Sequence, residues 1–254
     1  MRTVLLAAVL AGSVVPTLQS QVPDTSKKGR ELIQQAIEAL GGDAFLNLKT
    51  EKAEAKIYSF HRNNLSSLAT ATQYIGYPDK EREEYGKRKD EIEIINGNKG
   101  WTLDPSGVRP IPQAEMQSYL ERQSMSALYI LRYRLKEPDS ILEYAGHDIL
   151  DNREVDLVNF IDARNRTATY ALDSATHLPS QLVWERRDPK TGERRENTEV
   201  LSNYSKQQGV AMPRHLLRKE NDVKVYEEFI QDVQYNLDLD ELLFIPPVII
   251  PSGR

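Results

Sequence analysis

The chain has 254 residues, the length of one large domain or two small ones. Hydrophobic residues make up 39% and charged residues 28%, which permits a core but excludes a membrane protein with several spans. The net charge is -5, from 33 basic and 38 acidic residues mixed along the chain. Without a basic stripe, no nucleic-acid partner is expected.

The first twenty residues have the pattern of a secretory signal peptide. Arg2 supplies a basic start, and residues 4–15 are apolar apart from Gly12 and Ser13. A membrane-spanning helix needs roughly 20 apolar residues, so this stretch is too short to be one. We predict a signal peptide over residues 1–20, with cleavage after Ser20. The alternative is an N-terminal core helix.

The chain contains no cysteine, which excludes disulfides, thiolate metal sites and cysteine nucleophiles. An exported chain without cysteine cannot be lipidated on an N-terminal cysteine and must be stabilised by its own core. We therefore predict a periplasmic protein with no transmembrane span in the mature chain.

Two helices are expected. Residues 21–28 are polar and predict a flexible leader. From Gly29, apolar residues at spacings of three and four predict a helix that ends at the pair Gly41 and Gly42. A second apolar stripe, which includes Leu128, predicts one long helix over residues 113–136, ended by Pro138.

Most other segments have the pattern of strands in hairpin succession. Alternating residues begin near Ala53, and the last predicted strand should place five residues on one face: Val223, Val225, Phe229, Val233 and Tyr235. We predict an α+β, mainly β fold. It is a curved antiparallel sheet, or incomplete β-barrel, of about nine to eleven strands, with an N-terminal helix and an inserted helix covering the open side. One domain should span residues 29–246, followed by a tail over 247–254.

The segment from Ile94 to Gly107 is rich in glycine and could be a phosphate-binding loop or a hairpin. A phosphate-binding loop needs Lys and Ser/Thr after its last glycine, whereas Gly100 is followed by Trp101 and a strand-like run. Asn96 and Gly97 form the strongest two-residue signal for a hairpin turn. We predict two strands joined there, with a second turn at 104–107.

No motif identifies an enzyme, a metal site or a cofactor site. The four histidines, His61, His147, His177 and His215, are isolated in sequence and are expected on the surface or in turns. The acidic run at 238–241 precedes an apolar stretch, which favours helix capping over metal binding. A hydrolase would require histidine and carboxylates to converge in a cleft. Glycoside hydrolysis by a pair of carboxylates is an alternative that the sequence leaves open.

Aromatic and aliphatic residues in the predicted strands and inserted helix could line an apolar cavity of the kind that holds a small molecule or lipid. The alternative is that they simply fill the core. The six candidates for ligand binding are Trp101, Trp184, Tyr74, Tyr170, Leu128 and Phe229.

Several stretches together resemble a family of exported bacterial proteins. The segments AIEALGGDAFLNLKT (36–50), INGNKGWTLDPSG (95–107), YALDSATHLPSQLVW (170–184), GVAMPRHL (209–216) and YNLDLDELLF (235–244) are similar to those of outer-membrane lipoprotein-sorting proteins. The resemblance covers about residues 30–246. It implies a LolA/LolB-like architecture, in which an incomplete barrel holds lipoprotein acyl chains beneath covering helices. The lipobox cysteine of the membrane-anchored form is missing.

The sequence therefore favours a periplasmic carrier or binding protein, not an enzyme, for an apolar ligand such as a lipoprotein acyl chain or another lipid. No cofactor is expected. The alternative is a structural or interaction module of the cell envelope, which would bind a protein partner through a sheet edge or through the charged strand predicted over residues 80–89, whose charges predict a solvated face.

Overall fold

The computed structural model describes residues 24–187 and 191–247. The predicted signal peptide lies outside the described residues, as does the predicted tail after Pro247. Within the described part, the chain forms one antiparallel sheet of thirteen strands and a helical layer. The predicted mainly β architecture, a curved and unclosed sheet with a few helices, is confirmed.

The thirteen strands follow one another as an antiparallel meander. Their bounds are β1 Thr50–His61, β2 Asn64–Gly76, β3 Lys80–Tyr85, β4 Glu91–Asn96, β5 Lys99–Asp104, β6 Gly107–Pro110, β7 Ile141–Leu150, β8 Arg153–Ile161, β9 Thr167–Asp173, β10 Pro179–Arg187, β11 Arg194–Gln207, β12 Val210–Glu220 and β13 Val223–Tyr235. The described strands outnumber the predicted nine to eleven. The sequence signal is weak for β6, which has four residues, and for β7, whose side chains are largely exposed.

The strand order is β6-β5-β4-β3-β2-β1-β13-β12-β11-β10-β9-β8-β7. The first strand therefore pairs with the last, in a register that runs from Glu51 opposite Tyr235 to Ser59 opposite Tyr226. This pairing joins two meanders, β1–β6 and β7–β13, into one sheet. Strands β6 and β7 form its two edges.

The side of the sheet that carries Ala53, Ala55 and Ile57 of β1 is buried, and we call it the inner face. The first helix, α1 Thr25–Leu40, packs on β7 through Gly29, Leu32 and other apolar residues. It begins four residues before the predicted start, because the Asp24 side chain caps it by accepting a hydrogen bond from the Lys27 amide. A short helix, α2 Asp43–Leu46, follows.

The predicted helix over 113–136 is divided in the structure. It consists of α3 Gln113–Ser124, α4 Ala127–Tyr129 and a π-helical turn, Ile130–Arg134, with extended backbone at Ser126. Tertiary hydrogen bonds explain the break. The Ala127 amide donates to the Glu199 carboxylate at 2.8 Å, and the Ala127 carbonyl accepts from the Tyr170 hydroxyl at 2.6 Å.

The π-helical turn is anchored to the sheet by a buried ion pair. The Arg134 guanidinium donates to the Asp162 carboxylate at 3.0 Å, and it also contacts Glu137 at 2.9 Å. Both Arg134 and Asp162 are buried. Removal of one partner from such a pair leaves an unpaired buried charge, so the contact holds the helical layer in place.

A bulge in β13 overturns one prediction about its faces. Asp232 pairs with Glu54 and Ile230 pairs with Ala55, so Gln231 is an extra residue between them. Val233 and Tyr235 lie on the inner face, whereas Phe229 is opposite the exposed Lys56 on the outer face. The predicted single face for all five residues is therefore wrong.

The glycine-rich segment is a hairpin, as predicted, although the turn lies one residue later. Asn96 pairs with Lys99, so the loop is Gly97 and Asn98, and Gly97 has a φ of 61°. Gly100 lies on the inner face beneath α3. An added Cβ there would meet the Met116 sulfur at 2.6 Å. The absence of a side chain at Gly100 thus permits close packing of α3 on the sheet.

Gly41→Ala should destabilise the fold. Gly41 ends α1 with a φ of 124°, and an added Cβ would lie 2.5 Å from the Gly209 carbonyl oxygen. Backbone strain and the steric clash together predict a loss of about 2 to 4 kcal/mol in the free energy of unfolding. Urea denaturation measures this value.

The neighbouring Gly42→Ala variant is the matched control, since Gly42 also has positive φ but no atom within 4 Å of its added Cβ. It should lose only about 1 to 2 kcal/mol. Equal losses in the two variants would contradict the close approach of α1 to the turn before β12.

Candidate functional site

Two adjoining cavities lie between the helical layer and the inner face. Their volumes are about 430 Å³ and 240 Å³, and we call them the larger and the smaller cavity. The larger lies between α3 and strands β3, β4, β12 and β13. The smaller extends beneath α4 and the π-helical turn. Six residues line both cavities: Glu81, Glu83, Tyr119, Arg122, Arg218 and Tyr226.

The wall of the larger cavity combines carboxylates with phenols and aliphatic groups. On β3, Glu81, Glu83 and Tyr85 follow at a spacing of two residues and therefore share one face. That face is the inner one, whereas the sequence predicted a solvated face for this charged strand. Glu93 on β4 adds a third carboxylate, and Met116 of α3 contributes apolar surface.

Hydrogen bonds hold these carboxylates in place. The Tyr119 hydroxyl of α3 donates to Glu81 at 2.5 Å. The Gln73 amide nitrogen donates to Glu83 at 2.7 Å and to Glu228 of β13 at 2.6 Å. One amide thus bridges two carboxylates across the sheet, which brings acidic groups from distant parts of the chain together.

Burial raises the pKa of Glu81 to about 8, and the negative charge of Glu83 acts in the same direction. Burial, followed by the charge of Glu83, raises the pKa of Glu228 to about 7. The pKa of Glu93 is raised for the same two reasons. Near neutral pH, Glu81 therefore holds a proton most of the time and Glu228 about half of it, and a protonated carboxyl group can donate a hydrogen bond.

The smaller cavity has both polar and apolar side chains in its wall. Four aliphatic side chains contribute, from β2, α4, β12 and β13, and we call the part of the wall that they form the aliphatic end: Ile75, Leu128, Met212 and Ile230. Arg132 of the π-helical turn lies at the wall, with its guanidinium 3.9 Å from the centre of the Tyr77 ring and 4.9 Å from that of Tyr133. The cavity can therefore accommodate an apolar group beside a cation.

The structure separates the six predicted ligand-binding residues into three groups. Leu128 lines the smaller cavity. Tyr170 and Trp184 are buried in the core beneath the helices. Tyr74, Trp101 and Phe229 lie on the outer face, because their neighbours Gln73, Gly100 and Glu228 point inward. Outer-face partners include Lys52, whose ammonium lies 5.6 Å from the Tyr74 ring.

Sequence reasoning missed the polar residues of the cavities. The two-residue spacing of Glu81, Glu83 and Tyr85 is a signal that could have identified them. Glu228 has the same signal, since Tyr226, Glu228 and Ile230 also follow at a spacing of two residues before the bulge at Gln231. For Arg132 the irregular helix removes any such signal.

One histidine is not an isolated surface residue. The His215 ring lies 2.7 Å from the Ser202 hydroxyl through Nδ1 and 2.8 Å from Glu227 through Nε2, and it stacks on Phe229. This group resembles a nucleophile, base and carboxylate. It lies on the outer face, and none of its residues lines either cavity.

In the part of the chain that the structure describes, no group of three or more His, Asp or Glu side chains could hold a metal ion. The acidic run at 238–241 caps a turn, as predicted: the Asp240 carboxylate accepts from the Leu242 amide at the start of the 3-10 turn Glu241–Phe244. Across residues 24–187 and 191–247, no helix is long and apolar enough to cross a membrane.

The unclosed antiparallel sheet with helices over its inner face defines the LolA-like fold. Three solved structures share it at low sequence identity. The outer membrane lipoprotein-sorting protein domain from Vibrio parahaemolyticus is 14% identical, with a TM-score of 0.56, over 87% of this chain and 97% of that one. A DUF1329 family protein from Desulfovibrio piger is 13% identical, with a TM-score of 0.57 and the same coverage.

A LolA superfamily protein from Nitrosomonas europaea is 12% identical, with a TM-score of 0.54, over 85% of this chain and 96% of that one. No protein-family model matches the chain. No curated protein matches it by sequence either. At these sequence identities the structural similarity establishes the fold, and the ligand has to be inferred from the residues of the site.

Glu228→Gln should change the pH dependence of stability. Because the pKa of Glu228 is raised in the folded state, its protonated form favours folding, and that contribution is lost as pH rises from about 4.5 through 7. The variant stays neutral. At pH 8 its free energy of unfolding should exceed that of the wild type by on the order of 1 to 3 kcal/mol, with little difference at pH 4.

Urea unfolding at the two pH values measures this difference. Glu31→Gln, on the exposed side of α1, is the control and should leave the pH dependence unchanged. An equal offset for Glu228→Gln at both pH values would show that packing, and not proton binding, accounts for the effect.

Proposed function

We propose that this protein is a non-enzymatic carrier or binding protein for a lipid, exported to the periplasm, where it acts in outer-membrane biogenesis. The ligand's acyl chain would lie in the cavities between the helical layer and the inner face. The observation that carries the proposal is the pair of adjoining cavities within a LolA-like fold.

The composition of the cavities supports an amphipathic ligand. The aliphatic end of the smaller cavity offers apolar contacts, and each acyl methylene that is buried stabilises a complex by about 0.8 kcal/mol. The carboxyl, phenol and guanidinium groups of the two cavities offer hydrogen bonds to a polar head. Of the six residues predicted from sequence, the proposal retains Leu128 as a direct ligand contact.

Export and the periplasmic location rest on the sequence of residues 1–20. The cargo is a lipoprotein acyl chain or another lipid, and the first is suggested by the Vibrio parahaemolyticus protein that shares the fold, which is a lipoprotein-sorting domain. Transfer of a chain between membranes requires only binding and release, so the proposal involves no catalytic step.

A second candidate function is a protein-interaction module of the cell envelope. The observation in its favour is the edge strand β7, which presents Ile141 and Ile149, the latter 68% exposed. An edge strand can bind an extended partner by adding a strand to the sheet. The two functions require different ligands. The interaction module would bind a protein partner and would not use the cavities.

Leu128→Trp should weaken lipid binding, since the larger ring would occupy the smaller cavity. We expect a loss of at least about tenfold in affinity for a fluorescent long-chain fatty acid, as a few methylene contacts are lost. Fluorescence titration measures the affinity, and native mass spectrometry of the protein from the periplasm measures copurified lipid.

Ile149→Trp, on the exposed side of β7, is the matched control and should bind as the wild type does. The proposal would be wrong if the folded wild-type protein copurified with no lipid and took up no fatty acid. If the Ile149→Trp variant retained lipid binding but lost a protein partner, the protein would have the interaction function in addition to lipid binding.

A further inference from the structure

We infer that Arg132 is the binding site for the anionic head group of the lipid, with its acyl chain in the aliphatic end of the smaller cavity. The inference rests on the proposed function and names the class of ligand: a long-chain molecule that ends in a carboxylate or phosphate.

Arg132 is a buried cation without a carboxylate partner. Its side chain is only 7% exposed, and among the described residues none forms an ion pair with it within 4 Å. One guanidinium nitrogen donates to the Leu48 carbonyl, while Nε is buried with no hydrogen-bond partner. Burial of a charge is costly unless it is paired, so this arrangement is unusual for a purely structural residue.

The other arginine of the same turn provides an internal comparison. Arg134, two residues later, is equally buried, but it donates to Asp162 and Glu137. That arginine is fully neutralised and faces the core. Arg132 instead lies at the wall of the smaller cavity, where a ligand can reach it.

Two aromatic rings orient the Arg132 guanidinium. The Tyr77 and Tyr133 rings lie 3.9 Å and 4.9 Å from it, which limits its rotation. A fixed, planar guanidinium suits the bidentate binding of carboxylate or phosphate. The same two tyrosines line the cavity, and their rings would pack beside the first methylenes of the acyl chain.

Glu51 is the carboxylate with the strongest influence on this site. It is buried on β1 and accepts a hydrogen bond from the Tyr77 hydroxyl at 2.7 Å. Burial raises the pKa of Glu51, although the Tyr77 hydrogen bond and the Arg132 charge oppose this. The raised pKa favours the neutral form of Glu51, which does not compensate the charge of Arg132.

The aliphatic end continues from this head-group position. Leu128 lies one helical turn before Arg132, and residues four apart lie on the same side of a helix. Ile230 and Met212 line the cavity opposite them. The cation is thus next to an apolar surface, as the recognition of an anionic lipid requires.

The test compares hexadecanoic acid with hexadecanol at pH 8, each displacing the uncharged probe N-phenyl-1-naphthylamine. Charge-assisted hydrogen bonds predict that the wild type binds the acid about tenfold to hundredfold more tightly than the alcohol. Arg132→Gln should reduce this preference to about threefold or less while retaining the affinity for the alcohol.

Arg30→Gln is the matched control, because Arg30 is an exposed cation of α1 that lines neither cavity. It should retain the preference for the acid. Circular dichroism melts establish that each variant is folded. If Arg132→Gln does not fold, Arg132→Lys is the variant to test. It keeps the positive charge but lacks the planar guanidinium, so it should lower the preference for the acid severalfold.

The outcomes separate this inference from the proposed function. A wild type that binds neither molecule overturns both. A wild type that binds acid and alcohol equally keeps the proposed function and overturns the inference. The inference also fails if the Arg132 variants keep the full preference, or if the Arg30 variant loses it as well.

Inorganic phosphate and acetate test whether Arg132 binds a lipid head group or a free anion. We expect neither to displace the probe at concentrations where hexadecanoic acid does, because they lack a chain. Displacement by these free anions at such concentrations, abolished in Arg132→Gln, would overturn the assignment to a lipid head group.

Discussion

The pairing of the first strand with the last is the constraint on which the rest of the structure depends. Hydrogen bonds between β1 and β13 join two meanders into one sheet, and every other pair of adjacent strands in the sheet is consecutive in sequence. The inner face is apolar at the centre and must be covered. The segment between β6 and β7 connects the two edges of the sheet, and its helices cross the inner face. The cavities form where this crossing layer does not fill the space above β3 and β13.

The inner face combines a stable core with an unusual density of buried charge. Tyr170 and the other large residues beneath α4 account for packing, and the Arg134 ion pair secures the helical layer. Beside them, Glu81 and Glu228 are held where their ionised forms are disfavoured. A protein selected only for stability would not keep such groups, since apolar residues of the same volume serve at least as well. Polar cavities beneath a helical layer are instead suited to an amphipathic ligand.

The local elements of the fold were largely predictable. Spacing of apolar residues identified α1, Gly41 identified its end, and Gly97 identified the β4–β5 hairpin within one residue. The site was much less predictable. Leu128 is at the cavity, but Tyr74, Trp101 and Phe229 were expected there and lie on the outer face. An alternating pattern shows that two faces exist and does not show which one is covered by helices. A one-residue bulge exchanges the two faces, and it has no clear sequence signature.

The meander of antiparallel strands, its turns and the absence of disulfides follow from the amino-acid sequence alone, because they depend on composition and on contacts between residues close along the chain. Three features arise only from tertiary contacts: the break after Ser124, the inward direction of the β3 carboxylates and the burial of Arg132 without a carboxylate partner. Each depends on groups far apart in sequence: Glu199 and Tyr170 for the break, Gln73 and Glu228 for the carboxylates, and the Leu48 carbonyl for Arg132. The pairing of β1 with β13 brings the two halves together, and no local pattern of residues encodes it.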